Sequence, residues 1–290
     1  MRSMLFVPGD SAHKFSKARD CGADALILDL EDSVALEAKA AARQATREML
    51  ASERGVQKLY VRVNALDSGM TLADLAAVIP LGPDGVVLPK CARVEDIRRL
   101  SYYLEAFEIA AGTQLGSTRI VAVATETAES LFGLGGYAAA GPRLWGLMWG
   151  AEDLAASFGA TINKIGKNYS EPFRLARNLC LAGAAAAGVV AIDTVCTDIG
   201  DIDYVAAEVE AARRDGFGAK AIIHPAHVAP VNAAFTPTPG EVRWAKAVLS
   251  AFAADPHAGV VKIDGKMIDK PHERAARKIM AMAEAGRNHA

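Results

Sequence analysis

Short apolar runs recur along this chain, and most stop at a charged or strongly polar residue. They are Met4–Val7; Ala25–Leu28, before Asp29-Leu30-Glu31-Asp32; Leu59–Val61, before Arg62 and Asn64; and Val86–Leu88, before Lys90. They continue as Ile120–Ala124, before Glu126; Leu144–Trp149, before Glu152-Asp153; Val189–Ile192, before Asp193; and Ala221–Ile223, before His224-Pro225. Continuous apolar runs of this length suit strands covered on both faces, as in parallel sheets. Between them lie helical patterns. Ser33–Ala51 is rich in Ala, Glu, Lys and Arg, and Thr71–Val78 follows a turn at Asp67-Ser68-Gly69. Val94–Ala111 has Glu95-Asp96 in its first turn, where negative charge suits the helix dipole. Ser170 before Glu171-Pro172 is an N-cap signal, and Asp203–Asp215 ends at Gly216, a C-cap signal.

Strand–helix alternation predicts a parallel sheet with helical crossovers, and eight strands favour closure into a TIM-type (β/α)8 barrel. In such a barrel the carboxyl ends of all strands meet at one mouth, where active sites sit. The pattern changes after His224-Pro225. Phe235-Thr236-Pro237-Thr238-Pro239-Gly240 is a breaker cluster, Glu241–Ala254 reads as a helix, Val260–Asp269 as a hairpin or loop, and Pro271–Ala285 as a last helix. The expected division is a barrel over residues 1–229 and a helical appendage over residues 230–290.

Composition narrows the function classes. At 290 residues and 51% hydrophobic the chain can bury a large core, and a net charge of −2 gives no reason to expect nucleic acid or a membrane surface as partner. Cys21, Cys91, Cys180 and Cys196 have no paired spacing, which reads as reduced thiols in a cytoplasmic protein. The N-terminal run is too short for a signal peptide, and Leu175–Val195 is interrupted by Arg177, Asn178 and Asp193, so no membrane span is expected. No phosphate loop or dinucleotide fingerprint follows any run; Gly133-Leu134-Gly135-Gly136 lacks the spacing.

The run ends supply the candidate chemistry. Glu126 and Asp153 each follow a buried strand, and two carboxylates with room for water are a usual magnesium arrangement; each alone also reads as a cap or surface carboxylate. Arg62 ends an apolar strand with Asp29, Glu31 and Asp32 as its expected neighbours. It reads either as a fork for an acidic substrate group or as a structural ion pair. Glu31 or Asp32 could act through water around a metal. Lys90 reads as electrostatic or structural, with a Schiff-base role open only if its pKa is depressed. His224 and Asp193 are each open between acid–base and packing roles. Lys14, Lys17 and Arg19 form a basic cluster that suits phosphates or a solvated helix face.

Seven motifs in order carry a resemblance. They are Arg2-Ser3-Met4-Leu5-Phe6-Val7-Pro8-Gly9, Asp29-Leu30-Glu31-Asp32-Ser33-Val34, Arg62-Val63-Asn64, Leu88-Pro89-Lys90, Glu126-Thr127-Ala128, Gly150-Ala151-Glu152-Asp153-Leu154-Ala155 and Ile223-His224-Pro225. The chain resembles the citrate lyase β-subunit-like family of the HpcH/HpaI aldolase superfamily, with its malyl-CoA and citramalyl-CoA lyases, and the resemblance covers nearly its whole length. The resemblance implies a barrel enzyme that uses Mg2+, with Mn2+ as a substitute, on a CoA thioester. It implies Glu126 and Asp153 as metal and substrate ligands and Arg62 as the substrate arginine; beside these, the run ends themselves offer Asp29, Glu31, Asp32 and Lys90 as supporting groups and Lys14 and Lys17 for the CoA phosphates. It also implies a homo-oligomer, a trimer or hexamer, in which the C-terminal segment closes over a neighbour's active site. Met267-Ile268-Asp269-Lys270-Pro271 then supplies Asp269 as the catalytic acid–base, a residue that otherwise reads as an N-cap. Glu129-Ser130-Leu131-Phe132 and Gly216-Phe217-Gly218-Ala219-Lys220 depart from the family's pattern, which bears on the shape of the acyl pocket. The expected reaction is reverse Claisen cleavage to acetyl-CoA and a 2-oxo acid. A citryl-CoA lyase subunit, a malyl-CoA thioesterase or malate-synthase-like enzyme, a class II pyruvate aldolase and a non-catalytic paralogue remain as alternatives.

Overall fold

The computed structural model describes residues 1–287. Its strands are β1 (Ser3–Pro8), β2 (Ala25–Asp29), β3 (Lys58–Arg62), β4 (Gly85–Leu88), β5 (Arg119–Val123), β6 (Leu144–Met148), β7 (Lys164–Ile165), β8 (Asn168–Tyr169), β9 (Val190–Asp193), β10 (Ala219–Ile222), β11 (Val260–Ile263) and β12 (Lys266–Asp269). Its α-helices are α1 (Ala12–Arg19), α2 (Lys39–Ala51), α3 (Thr71–Val78), α4 (Val94–Ala111), α5 (Ser130–Gly133), α6 (Glu152–Phe158), α7 (Glu171–Ala187), α8 (Ile202–Asp215), α9 (Val228–Phe235), α10 (Pro239–Ala254) and α11 (Lys270–Arg287). A closed parallel barrel runs β1-β10-β9-β6-β5-β4-β3-β2 and back to β1, as the alternation of apolar runs and helices predicts.

Side chains alternate across a strand, so one parity fills the barrel and the other meets the helices. Met4, Ile27, Tyr60, Val121, Met148 and Ile192 pack together inside the barrel. Leu26, Leu28, Val61, Val86 and Leu88 pack outward in a second, larger core beneath the helices. This parity decides which polar residues reach the mouth. Asp29 continues the inward set of Ala25 and Ile27, and Arg62 follows inward Tyr60; the two are direct partners in the β2–β3 register.

The same rule sends Asp193 and Lys220 the other way. Lys220 lies between inward Ala219 and Ala221, so its side chain enters the helix layer, where it is fully buried. Its Nζ donates to Asp193 Oδ2 at 2.8 Å and to the Thr194 carbonyl at 2.7 Å, and lies 2.9 Å from Glu208 Oε2. Asp193 also accepts from Trp149 Nε1 at 2.7 Å. Burial raises the Asp193 pKa, but Lys220 and Arg177 outweigh it and leave the carboxyl below its usual range.

Some local readings change. The segment expected as one helix over Ser33–Ala51 splits: Asp29 Oδ2 accepts the Ser33 N–H at 3.1 Å, Leu36–Ala38 forms a 3-10 turn, and α2 starts at Lys39. Ser170 stands at the N-cap of α7 in an extended conformation, but its side chain makes no capping bond. A short β7–β8 hairpin stands between α6 and α7; its two-residue strands are too short to show a period in the sequence. Position 230 falls inside α9, which buries Val228, Val231 and Phe235 and packs on α8 and β1; the chain leaves the barrel after it, at the Thr236–Thr238 breaker.

The C-terminal segment then forms α10, the β11–β12 hairpin and α11. Thr238 and Glu241 cap α10 reciprocally. Asp264 and Gly265, both at positive φ, make the two-residue hairpin turn. The unit has its own small core, with Ala245, Val248, Phe252, Ile268 and Ala276 buried. It touches the barrel through the Arg213–Glu241 ion pair at 2.7 Å and through Lys278 Nζ to the Gly216 carbonyl at 3.4 Å. Among the described residues no helix is long and apolar enough to cross a membrane.

Away from the mouth, Arg143 forks onto buried Glu108 at 2.8 and 2.7 Å, and Glu108 also accepts the Gly116 and Thr118 N–H groups. Burial raises the Glu108 pKa, but these donors outweigh it and hold it at about 2, against an ordinary 4.5. Glu108→Gln should cost about 3 kcal/mol at pH 7. A depressed carboxylate pKa stabilises above the unfolded value and loses that effect on acidification. Urea unfolding of both proteins should therefore show the gap in full above pH 4.5 and closing as pH falls towards 2.

Candidate active site

The carboxyl ends of the strands surround a cavity of about 600 Å3. Phe6 and Pro8 from β1, Asp29 from β2 and Arg62 from β3 line it, as do Glu126 after β5 and Glu152 and Asp153 after β6. Thr194 and Val195 after β9 and His224 after β10 complete the rim, and Lys14 and Lys17 reach it from α1. A smaller cavity alongside is lined by Glu31, Asp32, Lys39, Asn64 and Lys90, with Asp32 common to both.

Adjacent in register, Asp29 and Arg62 make a two-pronged pair: Nε to Oδ1 and Nη2 to Oδ2, both at 2.7 Å. Asp29 also accepts the Glu31 N–H at 2.9 Å, and with the Ser33 N–H this folds the turn carrying Glu31 and Asp32. Lys39 Nζ donates to the Leu30 and Glu31 carbonyls and closes that turn from below. Burial raises the Asp29 pKa, but Arg62 outweighs it and keeps the carboxylate ionised. The guanidinium stacks 4.9 Å over the Phe6 ring, and its Nη1 lies 2.9 Å from Glu31 Oε2. The Nε–Nη2 edge of Arg62 is held by Asp29, and Arg62 lines the cavity as a fixed, nearly buried positive charge.

Lys90 sits between the carboxylates. Its Nζ donates to Glu31 and lies 3.6 Å from Asp32 Oδ1, and its backbone N–H donates to Glu126 Oε2 at 2.6 Å. Burial opposes the ammonium, but Glu31 outweighs it and raises its pKa.

Glu126 is buried and accepts no hydrogen bond on Oε1 among those formed by the described residues. Gly150, at the end of β6, gives it room: a Cβ there would lie 2.9 Å from Glu126 Cγ. Thr125 and Gly150 are joined by paired bonds through Thr125 Oγ1, which tie the segments after β5 and β6 that carry Glu126 and Asp153 to each other. Burial, then the negative charge of Asp153, push the Glu126 carboxyl up to about 8 despite the Lys90 N–H. Among the described residues no three or more His, Cys, Asp or Glu side chains cluster as metal ligands. The pair presents carboxylate oxygens only, with open volume beside it.

Other sequence candidates fall elsewhere. His224 lines the rim, its Nδ1 accepting the Ala226 N–H at 3.2 Å. Asp193 lies behind the wall, paired to Lys220. Asp269, at the end of β12, is not among the residues lining either cavity. It lies beside His272, Oδ1 to Nδ1 at 2.5 Å, which holds its carboxyl below the usual range. The Lys90 backbone donor escaped sequence reasoning. Lys90 has φ of +50°, and no glycine or asparagine marks that turn.

A closed parallel barrel with carboxylates and a fixed arginine at its C-terminal mouth defines a barrel enzyme. The model of the HpcH/HpaI aldolase/citrate lyase family matches residues 2–225, and the chain belongs to that family. A (3S)-malyl-CoA thioesterase from Cereibacter sphaeroides is 34% identical, over 98% of this chain and 95% of its own. The citrate lyase subunit beta of Escherichia coli K12 is 36% identical, over 98% and 93%. Among solved structures, CitE from Mycobacterium tuberculosis in complex with magnesium, acetoacetate and coenzyme A superimposes with a TM-score of 0.76 at 31% identity, covering 98% of both chains.

A carboxyl whose folded pKa lies above its unfolded value makes the fold less stable as pH rises between the two. For Glu126 that interval runs from 4.5 to about 8. In metal-free buffer at pH 8.5, Glu126→Gln should therefore melt at least about 2 °C above the parent. At pH 4 the difference should be gone. Differential scanning calorimetry at both pH values checks this.

Proposed function

We propose that this enzyme is a magnesium-dependent acyl-CoA lyase. Its substrate would be a 3-hydroxy-dicarboxylyl-CoA of the malyl or citramalyl type, opened by reverse Claisen cleavage to acetyl-CoA and a 2-oxo acid. The observation that carries this reading is the pairing of Glu126 and Asp153 on neighbouring strand ends, in one cavity with Arg62 and with Lys14 and Lys17. The similar mycobacterial CitE holds magnesium and coenzyme A, which supports the same ligands here.

The residues fit such an ion. Magnesium takes oxygen ligands, is commonly held by one or two carboxylates and leaves its other positions to water and substrate. Glu126 Oε1 has no hydrogen bond among the described residues, and a dication would offset the burial, and after it the repulsion from Asp153, that raise the Glu126 pKa. When bound, magnesium supplies a Lewis acid for the hydroxyl and adjacent carboxylate oxygens of the substrate.

The chain's own groups would do the rest. Arg62, locked by Asp29 and Phe6, places a preorganised positive charge where negative charge develops on the departing enolate. Lys14 and Lys17 would meet the phosphates of the CoA arm. Asp269 would exchange the proton at the enolate carbon, supplied by a neighbouring copy. Support for that placement is its absence from the cavities of its own chain and the separate core of the segment that carries it. A head-to-tail contact of this kind forms a ring when its rotation closes, and a trimer is the simplest such ring.

Thioester hydrolysis is the second reading, favoured by the similar Cereibacter thioesterase. Purified protein with Mg2+ is assayed on malyl-CoA, citramalyl-CoA and citryl-CoA, following 2-oxo acid and free CoA. The expected result is 2-oxo acid with the thioester intact. Free CoA alone would replace the lyase with the thioesterase, and full activity after exhaustive chelation would remove the metal. Asp153→Asn and Asp269→Asn should each lose at least about 100-fold in kcat. Mixing the two inactive proteins should restore activity if Asp269 serves a neighbouring site, and restore none if each chain is self-contained.

A further inference from the structure

Lys90 holds a backbone conformation its side chain disfavours. At φ +50° it is in the left-handed region, and Asp264 of the hairpin turn is the only other non-glycine there among the described residues. A non-glycine residue in that region persists only where its surroundings over-determine it.

Here they do. The Cys91 N–H donates to the Val123 carbonyl at 3.2 Å, and the hydroxyl of fully buried Tyr137 donates to the Cys91 carbonyl at 3.1 Å. The Ala92 N–H donates to Asp96 Oδ2 at 2.9 Å. Gly133 lets the chain after α5 press on this turn; a Cβ there would lie 2.1 Å from the Ala92 carbonyl oxygen. The conformation so imposed points the Lys90 N–H at Glu126 Oε2.

We propose that Lys90 is a positioning residue acting through its backbone: its left-handed turn, clamped by Tyr137, aims the peptide N–H at Glu126 Oε2 and leaves Oε1 as the oxygen presented to a divalent cation. This rests on the magnesium reading above. The ammonium has a separate task, neutralising Glu31, so the identity of the side chain and the shape of the backbone are separable by substitution. Glycine and asparagine adopt the left-handed region readily; alanine resists it, and valine resists it more.

Lys90→Gly, Lys90→Asn, Lys90→Ala and Lys90→Val all remove the same ammonium. Their Mg2+ dissociation constants, from isothermal titration calorimetry on the full chain, should therefore rank by how readily each residue adopts the left-handed region. The glycine and asparagine variants should bind at least about tenfold more tightly than the valine variant, with alanine between, following the cost of the left-handed region. Tyr137→Phe, which keeps Lys90 and its charge, should weaken binding by about threefold through the loosened turn. Where valine prevents folding, alanine against asparagine makes the same comparison. Equal affinities across the set would overturn the proposal. So would a lower melting temperature at unchanged affinity, which would assign the turn to folding alone. Failure of the parent protein to bind Mg2+ at all would remove the metal reading and the proposal with it.

Discussion

The Asp29–Arg62 pair is the constraint around which the mouth of this barrel is arranged. A guanidinium with little access to water is tolerated only with its charge matched and its donors engaged. Adjacent register in β2 and β3 meets that need with a two-pronged bond. The same carboxylate then folds the following turn through the Glu31 and Ser33 N–H groups, which brings Glu31 to Lys90 and Arg62. Lys90 in turn reaches Glu126. One inward ion pair thus fixes a chain of contacts across β2, β3, β4 and β5, ending at the carboxylate of greatest chemical interest.

That chain also explains how charges of both signs share so small a space. Asp29, Glu31, Asp32, Glu126 and Asp153 all border the cavities, against Arg62 and Lys90 from the barrel. The two cations are committed to Asp29 and Glu31; burial raises the pKa of Glu31 even so, and burial, then the charge of Asp153, raises that of Glu126 to about 8. Below about pH 8 Glu126 therefore holds a proton rather than a second negative charge beside Asp153.

Much of this fold was legible in the chain because β strands buried on both faces leave continuous apolar runs, and helices such as α4 and α8 carry charge and cap signals at their ends. The mouth residues were legible for the same reason, since Asp29, Arg62, Glu126 and Asp153 stand where those runs stop. What escaped is set by contacts between elements. That Asp29 holds the Nε–Nη2 edge of Arg62 depends on the β2–β3 register, which no run length encodes. The Lys90 turn is imposed by Tyr137 and Gly133, far along the chain, and carries no local marker. The β7–β8 hairpin is too short for a period, and the place where α9 leaves the barrel is settled by packing on β1.

Lys220 has one more consequence, which concerns assembly rather than catalysis. It sits on β10, the strand that closes the barrel against β1, with alanines on either side. Sliding that strand by one residue would turn every side chain to the opposite face. The ammonium would then enter the apolar interior beside Met4 and Ile192, without Asp193 or Glu208. Stranding a buried charge costs several kcal/mol. A seam lined on both faces by alanine would carry no such penalty. A single buried lysine thus acts as a registration mark, and the last strand has one correct position at which to shut the ring.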